Sequence, residues 1–87
     1  MKIGILGTGN IGKTLVTRLS EAGHDVKVAN SRGPETIDAD LLSAGAQAVT
    51  TEDALIAVDA VILSIPLNRI PGIAPLVARL PAETVVI

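Results

Sequence analysis

Six residues near the amino terminus, Gly7-Thr8-Gly9-Asn10-Ile11-Gly12, place three glycines in the pattern G-x-G-x-x-G, and their flanks restrict what the chain can become. Just before them, Lys2-Ile3-Gly4-Ile5-Leu6 is a short run rich in branched aliphatics, which reads as a β-strand ending at Gly7. Just after them, Ile11, Leu15, Val16, Leu19 and Ala22 recur at helical spacing. They make one apolar face over residues 10–22, with Lys13, Thr17, Arg18 and Glu21 lying off it and Gly23 supplying the stop. In a chain with 8 glycines the spacing alone can arise by chance. A strand before it and a helix after it are the context that gives the pattern a physical meaning.

The same alternation continues along the chain. Asp25-Val26-Lys27-Val28-Ala29 alternates as a second strand, closed by the polar cluster Asn30-Ser31-Arg32-Gly33-Pro34. A second helix is expected from Pro34 to about Ala44-Gly45, since proline is tolerated in a first turn. Gln47-Ala48-Val49 is a short strand, and residues 51–56 form a helical turn with a threonine cap. Ala60-Val61-Ile62-Leu63-Ser64-Ile65 is almost continuously aliphatic, as in a strand covered on both faces, and Pro66 closes it. Pro71 and Pro75 make the next helix irregular, with Ile73, Leu76, Val77 and Leu80 as its apolar stripe, and Thr84-Val85-Val86-Ile87 opens a fifth strand. Strands alternating with helices imply parallel crossovers. The expected fold is therefore α/β, a doubly wound parallel sheet of Rossmann type in the order 3-2-1-4-5 with the first strand central. Ile87 falls inside an apolar strand, so residues 1–87 are expected to be the dinucleotide-binding domain of a longer polypeptide, with the substrate and dimerisation part not present.

Composition removes several classes of function. The 87 residues are 48% hydrophobic and 18% charged with a net charge of −2, which suits one globular domain, and there is no Lys/Arg run to mark a nucleic-acid surface. Without cysteine there are no disulfides, thiolate metal sites or thiol nucleophiles. Without Phe, Tyr or Trp there is no aromatic platform for single strands and no tyrosine proton donor. The apolar run after Met1-Lys2 is too short for a signal peptide, and no stretch approaches the ~18 apolar residues of a membrane span. The expectation is a cytoplasmic protein without membrane or nucleic-acid partners.

Each glycine of the motif has a separate task in a dinucleotide-binding turn. Gly7 permits the tight turn, Gly9 lets the backbone approach a pyrophosphate, and Gly12 lets the helix pack closely on the sheet. The free N–H groups around Asn10 and Ile11, with the positive end of the helix dipole, make an anion site. The competing reading is a plain glycine-rich turn.

After the second strand, folds that prefer NAD place an acidic residue for the ribose hydroxyls. Here Asn30-Ser31-Arg32 stands instead, and a hydroxyl and a guanidinium donate to the 2′-phosphate of NADP. The bland alternative is a solvated loop arginine beside a turn serine. Ser64-Ile65-Pro66 leaves the fourth strand at the topological switch point, where it borders the ribose or nicotinamide end of a cofactor or simply turns into the next helix.

No acid–base constellation or metal cluster is encoded beside this cradle. His24 follows a helix roughly 18 Å long at ~1.5 Å per residue and so belongs on the opposite edge, as does Asp59. Glu52 and Asp53 read as charges at a helix N-terminus.

Three stretches carry a resemblance to a known family: residues 2–12, then Ala29-Asn30-Ser31-Arg32-Gly33-Pro34, and Leu63-Ser64-Ile65-Pro66. They resemble the N-terminal domain of the deazaflavin-coenzyme-dependent NADP oxidoreductases over essentially the whole chain. The resemblance implies that Thr8, Gly9, Asn10 and Ile11 hold the pyrophosphate, that Ser31 and Arg32 read the 2′-phosphate, and that Ser64, Ile65 and Pro66 touch the ribose–nicotinamide portion. It further implies NADP as cofactor, hydride exchange with a small-molecule or deazaflavin acceptor, and a homodimeric full-length protein. A non-catalytic dinucleotide-sensing domain is the alternative, and it would be expected to carry an acidic residue after the second strand.

Overall fold

The computed structural model describes residues 1–7, 9–30, 32–37, 39–43, 45–65, 70–81 and 83–87. Five parallel strands form one sheet: β1 (Lys2–Leu6), β2 (Asp25–Ala29), β3 (Gln47–Ala48), β4 (Ala60–Leu63) and β5 (Val85–Val86). Their order is β3-β2-β1-β4-β5, as expected from the alternation of elements. The registers Ile5↔Val28 and Ile5↔Ile62 put β1 between β2 and β4 from Ile3 to Leu6.

A central parallel strand must bury both faces, and β1 does so with strict alternation. Ile3 and Ile5 point to one side, where they meet Val26, Val28 and Val16 of α1 (Asn10–Glu21). Leu6 points to the other side with Ala29 and Val61, under α2 (Thr51–Ala54) and the residues of α3 (Ile70–Val77) and its extension, Leu76 and Leu80. Gly4 shares that second side, and a side chain there has no room: a Cβ would overlap the Ala54 carbonyl oxygen and lie 3.1 Å from its carbon. The glycine in mid-strand thus marks the point where the α2 backbone rests directly on the sheet.

Three local expectations are corrected. The described residues between 34 and 45 form no α-helix but two 3₁₀ turns, Pro34–Thr36 and Ala39–Leu42. Ile37 between them is extended at φ −78°, ψ 131°, which breaks the helical progression while dropping its side chain into the core. Leu41 follows it there, so the four-residue spacing is satisfied without a helix. In α1 the buried line is Gly12, Val16 and Ser20, flanked by half-buried Leu15 and Leu19, whereas Ile11 (74% exposed) and Ala22 face outward. The threonine cap expected for α2 is present as Thr50, whose hydroxyl accepts from the Asp53 N–H at 3.2 Å. β4 ends at Leu63, and Ser64 continues the ladder only through its N–H to the Leu6 carbonyl at 2.7 Å.

Two substitutions test this packing in opposite directions. Gly4→Ala forces α2 away from β1 and is expected to cost about 1–3 kcal/mol in urea or thermal unfolding. Ser20 is 7% exposed, and among the described residues its hydroxyl has no hydrogen-bond partner. Ser20→Ala removes that orphaned group and improves helix propensity, so it should stabilise by about 1 kcal/mol.

Candidate functional site

The carboxyl ends of β1, β2 and β4 meet around Gly7. Its N–H donates to the Ala29 carbonyl at 2.8 Å, closing β1 against β2. On the other side its α-carbon abuts the Ser64 carbonyl, where a Cβ would overlap the oxygen and lie 2.7 Å from the carbon and 2.9 Å from Ile65 Cγ2. With φ at +108° as well, only glycine fits here. Gly12 closes the triangle: a Cβ there would overlap the Gly7 carbonyl oxygen and stand 3.2 Å from Ser64 Oγ. The first turn of α1 is thereby pressed onto the strand ends.

Gly9 is different. It is exposed, its φ of −68° is open to any residue, and among the described residues no heavy atom beyond its chain neighbours lies within 4 Å of a Cβ built on it. Nothing inside the described residues requires glycine at this position. Gly9 is the N-cap of α1, and the first helical bond runs from the Lys13 N–H to its carbonyl at 2.9 Å. The amides of residues 10, 11 and 12 precede that bond and receive no side-chain cap from Gly9. No acidic residue stands in the first turn of α1, whereas α2 begins with Glu52 and Asp53. The positive end of the α1 dipole is therefore not neutralised by its own turn, and it opens beside exposed Ile11.

The segment after β2 folds around Asn30. Its Oδ1 accepts from the N–H groups of Arg32 (3.0 Å) and Gly33 (2.9 Å), and its Nδ2 donates to Thr36 Oγ1 (2.9 Å). Thr36 Oγ1 in turn donates to the Gly33 carbonyl at 2.7 Å. Gly33 takes φ +109°, which turns the chain into the Pro34–Thr36 turn. Arg32 is exposed, and among the described residues its guanidinium has no hydrogen-bond partner or ion pair.

Gly7, Gly9, Ile11, Gly12 and the start of α1 at Asn10 lie with Ser64 and Ile65 at one sheet edge, and Asn30 and Arg32 follow directly on β2 at that edge. Ile65 packs on the core cluster of Leu6 and Ala29, so its side chain supports the strand ends. Thr8, Ser31 and Pro66 lie outside the described residues. Asp59 sits at the opposite edge, where its carboxylate accepts the Lys2 N–H at 2.9 Å, and His24 directly precedes β2, its N–H bonded to the Leu19 carbonyl. Sequence reasoning passed over Thr36. The signal was the spacing Asn30, Gly33, Thr36, which sets a turn-forming amide, a turn glycine and a hydroxyl three residues apart.

The model of one protein family, described as NADP oxidoreductase coenzyme F420-dependent, matches residues 2–87. The chain belongs to that family, and its fold is that of an NADP-binding oxidoreductase domain. Among solved structures it is similar to a hypothetical protein, SMa0349, from Sinorhizobium meliloti, with a TM-score of 0.74 and 32% identity over 99% of this chain and 42% of that one. It also shares its fold with the shikimate dehydrogenase of Mycobacterium tuberculosis, at a TM-score of 0.66 and 24% identity over 92% of this chain and 33% of that one. The chain thus spans less than half the length of either.

The different surroundings of the glycines separate in a stability measurement. Gly12→Val must push α1 off the Gly7 carbonyl and is expected to cost about 2–3 kcal/mol. Gly9→Val enters open space and loses only a favourable N-cap residue, about 1 kcal/mol. Thermal melts of the two variants beside the unmodified protein provide the comparison.

Proposed function

We propose that this chain binds NADP(H) across the carboxyl ends of β1, β2 and β4 and presents its nicotinamide for hydride exchange with a deazaflavin or another small acceptor. The observation that carries this reading is Gly9. Neither backbone strain nor crowding within the described residues asks for glycine there. The requirement then comes from outside the chain, from a group that must approach the backbone closely.

The residues divide the cofactor between them in this reading. Gly7 and Gly12 hold the first turn of α1 against Ser64, so that the amides of residues 10–12 face the pyrophosphate at the unneutralised end of the helix, with Thr8 and Gly9 beside them. Ser31 and Arg32 take the 2′-phosphate, with Asn30 shaping their loop from within rather than reaching outward. The residue following β2 is Asn30, where folds that prefer NAD carry an acid. Ser64, Ile65 and Pro66 border the ribose–nicotinamide end. When bound, the nicotinamide supplies the hydride; the chain's own part is to hold and orient it. Residues 1–87 act here as the dinucleotide-binding unit.

Titration calorimetry with both cofactors tests the assignment. A charge-assisted hydrogen bond contributes about 1.5–3 kcal/mol, so Arg32→Ala should weaken NADP about ten- to hundredfold and leave NAD nearly unchanged. Gly9→Val should abolish binding of both while the fold persists. Equal weakening of NAD and NADP by Arg32→Ala would make Arg32 a structural or pyrophosphate contact. Unaltered NADP affinity in Gly9→Val would remove the glycine turn from the site.

A further inference from the structure

The loop that carries Arg32 is closed by a ring of hydrogen bonds that ends on a residue with no assigned role. Asn30 Oδ1 binds the N–H groups of Arg32 and Gly33 at 3.0 and 2.9 Å, Asn30 Nδ2 donates to Thr36 Oγ1 at 2.9 Å, and Thr36 Oγ1 donates to the Gly33 carbonyl at 2.7 Å. The Thr36 hydroxyl has a single proton, and the Gly33 carbonyl is its nearer acceptor than Asn30 Oδ1 at 3.3 Å. It therefore accepts on one side and donates on the other. Only a hydroxyl at this position closes the ring; a valine of the same shape breaks two of its bonds at once.

We infer that Thr36 is a specificity-determining positioning residue, which holds Asn30, Arg32 and Gly33 in the arrangement that presents Arg32 to an adenosine 2′-phosphate. The inference rests on the reading of Arg32 given above. Asn30 anchors the backbone at Arg32 itself, and Thr36 fixes both Asn30 and the carbonyl of Gly33, whose φ of +109° sets the direction of the turn. The ring thus limits the freedom that binding would otherwise have to remove from this loop. Thr36 is itself exposed and follows the first turn residues Pro34 and Glu35, so its loss opens no cavity in the core. Its effect is confined to the part of the cofactor that distinguishes NADP from NAD.

The experiment measures NADP⁺ and NAD⁺ affinity by calorimetry for the unmodified protein, Thr36→Val, Thr36→Ser, Arg32→Ala and the double variant Thr36→Val/Arg32→Ala, with a thermal melt of each. Thr36→Val should weaken NADP⁺ about three- to tenfold, as expected for one or two lost neutral hydrogen bonds, with NAD⁺ within about twofold of the unmodified protein. Thr36→Ser, which keeps the hydroxyl, should restore NADP⁺ affinity. In the Arg32→Ala background Thr36→Val should have no further effect, because the two residues act through one contact. Thr36→Val weakening both cofactors alike, weakening NADP⁺ equally with and without Arg32, or failing to respond to serine would overturn the role of Thr36. If Arg32→Ala removes the preference for NADP⁺ and Thr36→Val leaves it intact, Thr36 alone is misassigned. If Arg32→Ala leaves the preference intact, the reading of the loop fails and the role of Thr36 fails with it.

Discussion

At the carboxyl edge of the sheet the Ser64 carbonyl lies against the α-carbon of Gly7, and the Gly7 carbonyl lies against the α-carbon of Gly12. These approaches have no room for a Cβ, so they lock three segments together: the end of β1, the start of α1 and the exit of β4. The N–H of Gly7 adds β2 through Ala29. A close backbone junction of this kind can carry a turn at φ +108° because its neighbours hold it from every side. The rim it creates is where the crossovers of the sheet part to opposite faces, the place where open α/β sheets leave a crevice.

What that rim offers is mainly electrostatic. The first turn of α1 contains no acid, and its leading amides precede the first helical bond. The four-residue helix α2 has two acids in its first turn and a threonine cap. Similar helix starts are thus finished differently, one self-neutralised and one left open. The loop after β2 adds a cation of a different kind. Arg32 is exposed while the backbone beneath it is tied down by Asn30 and Thr36, so the charge stands on a braced support.

Much of the fold was legible because its signals are local. The run Lys2–Leu6, the helical spacing that follows it and the alternation of Asp25–Ala29 each report on burial through a single period, and the sheet order follows from the handedness of crossovers. The errors fall where two principles compete. Ile37 and Leu41 have the spacing of a helix, but burying Ile37 uses an extended residue between two tight turns, and the spacing cannot distinguish the two solutions. Ile11 has the composition of a core residue, yet it belongs to the turn that faces the crevice and is 74% exposed. Ser20 takes an inward position although the apolar pattern passed over it as a polar residue.

The glycine motif shows the same division within the site. The order of residues alone establishes that three glycines stand between a strand and a helix, that no acid follows the second strand, and that the sheet must be parallel with β1 at its centre. These are matters of composition and period, written residue by residue along the chain. Why each glycine is needed emerges from the packing of distant segments. Gly7 and Gly12 are required by the Ser64 and Gly7 carbonyls, whereas Gly9 meets no other segment among the described residues. The fold likewise turns Asn30 inward to Arg32, Gly33 and Thr36. Close approach is a relation between residues as far apart as Gly7 and Ser64, and no local pattern records a distance between segments that meet only when the sheet has formed.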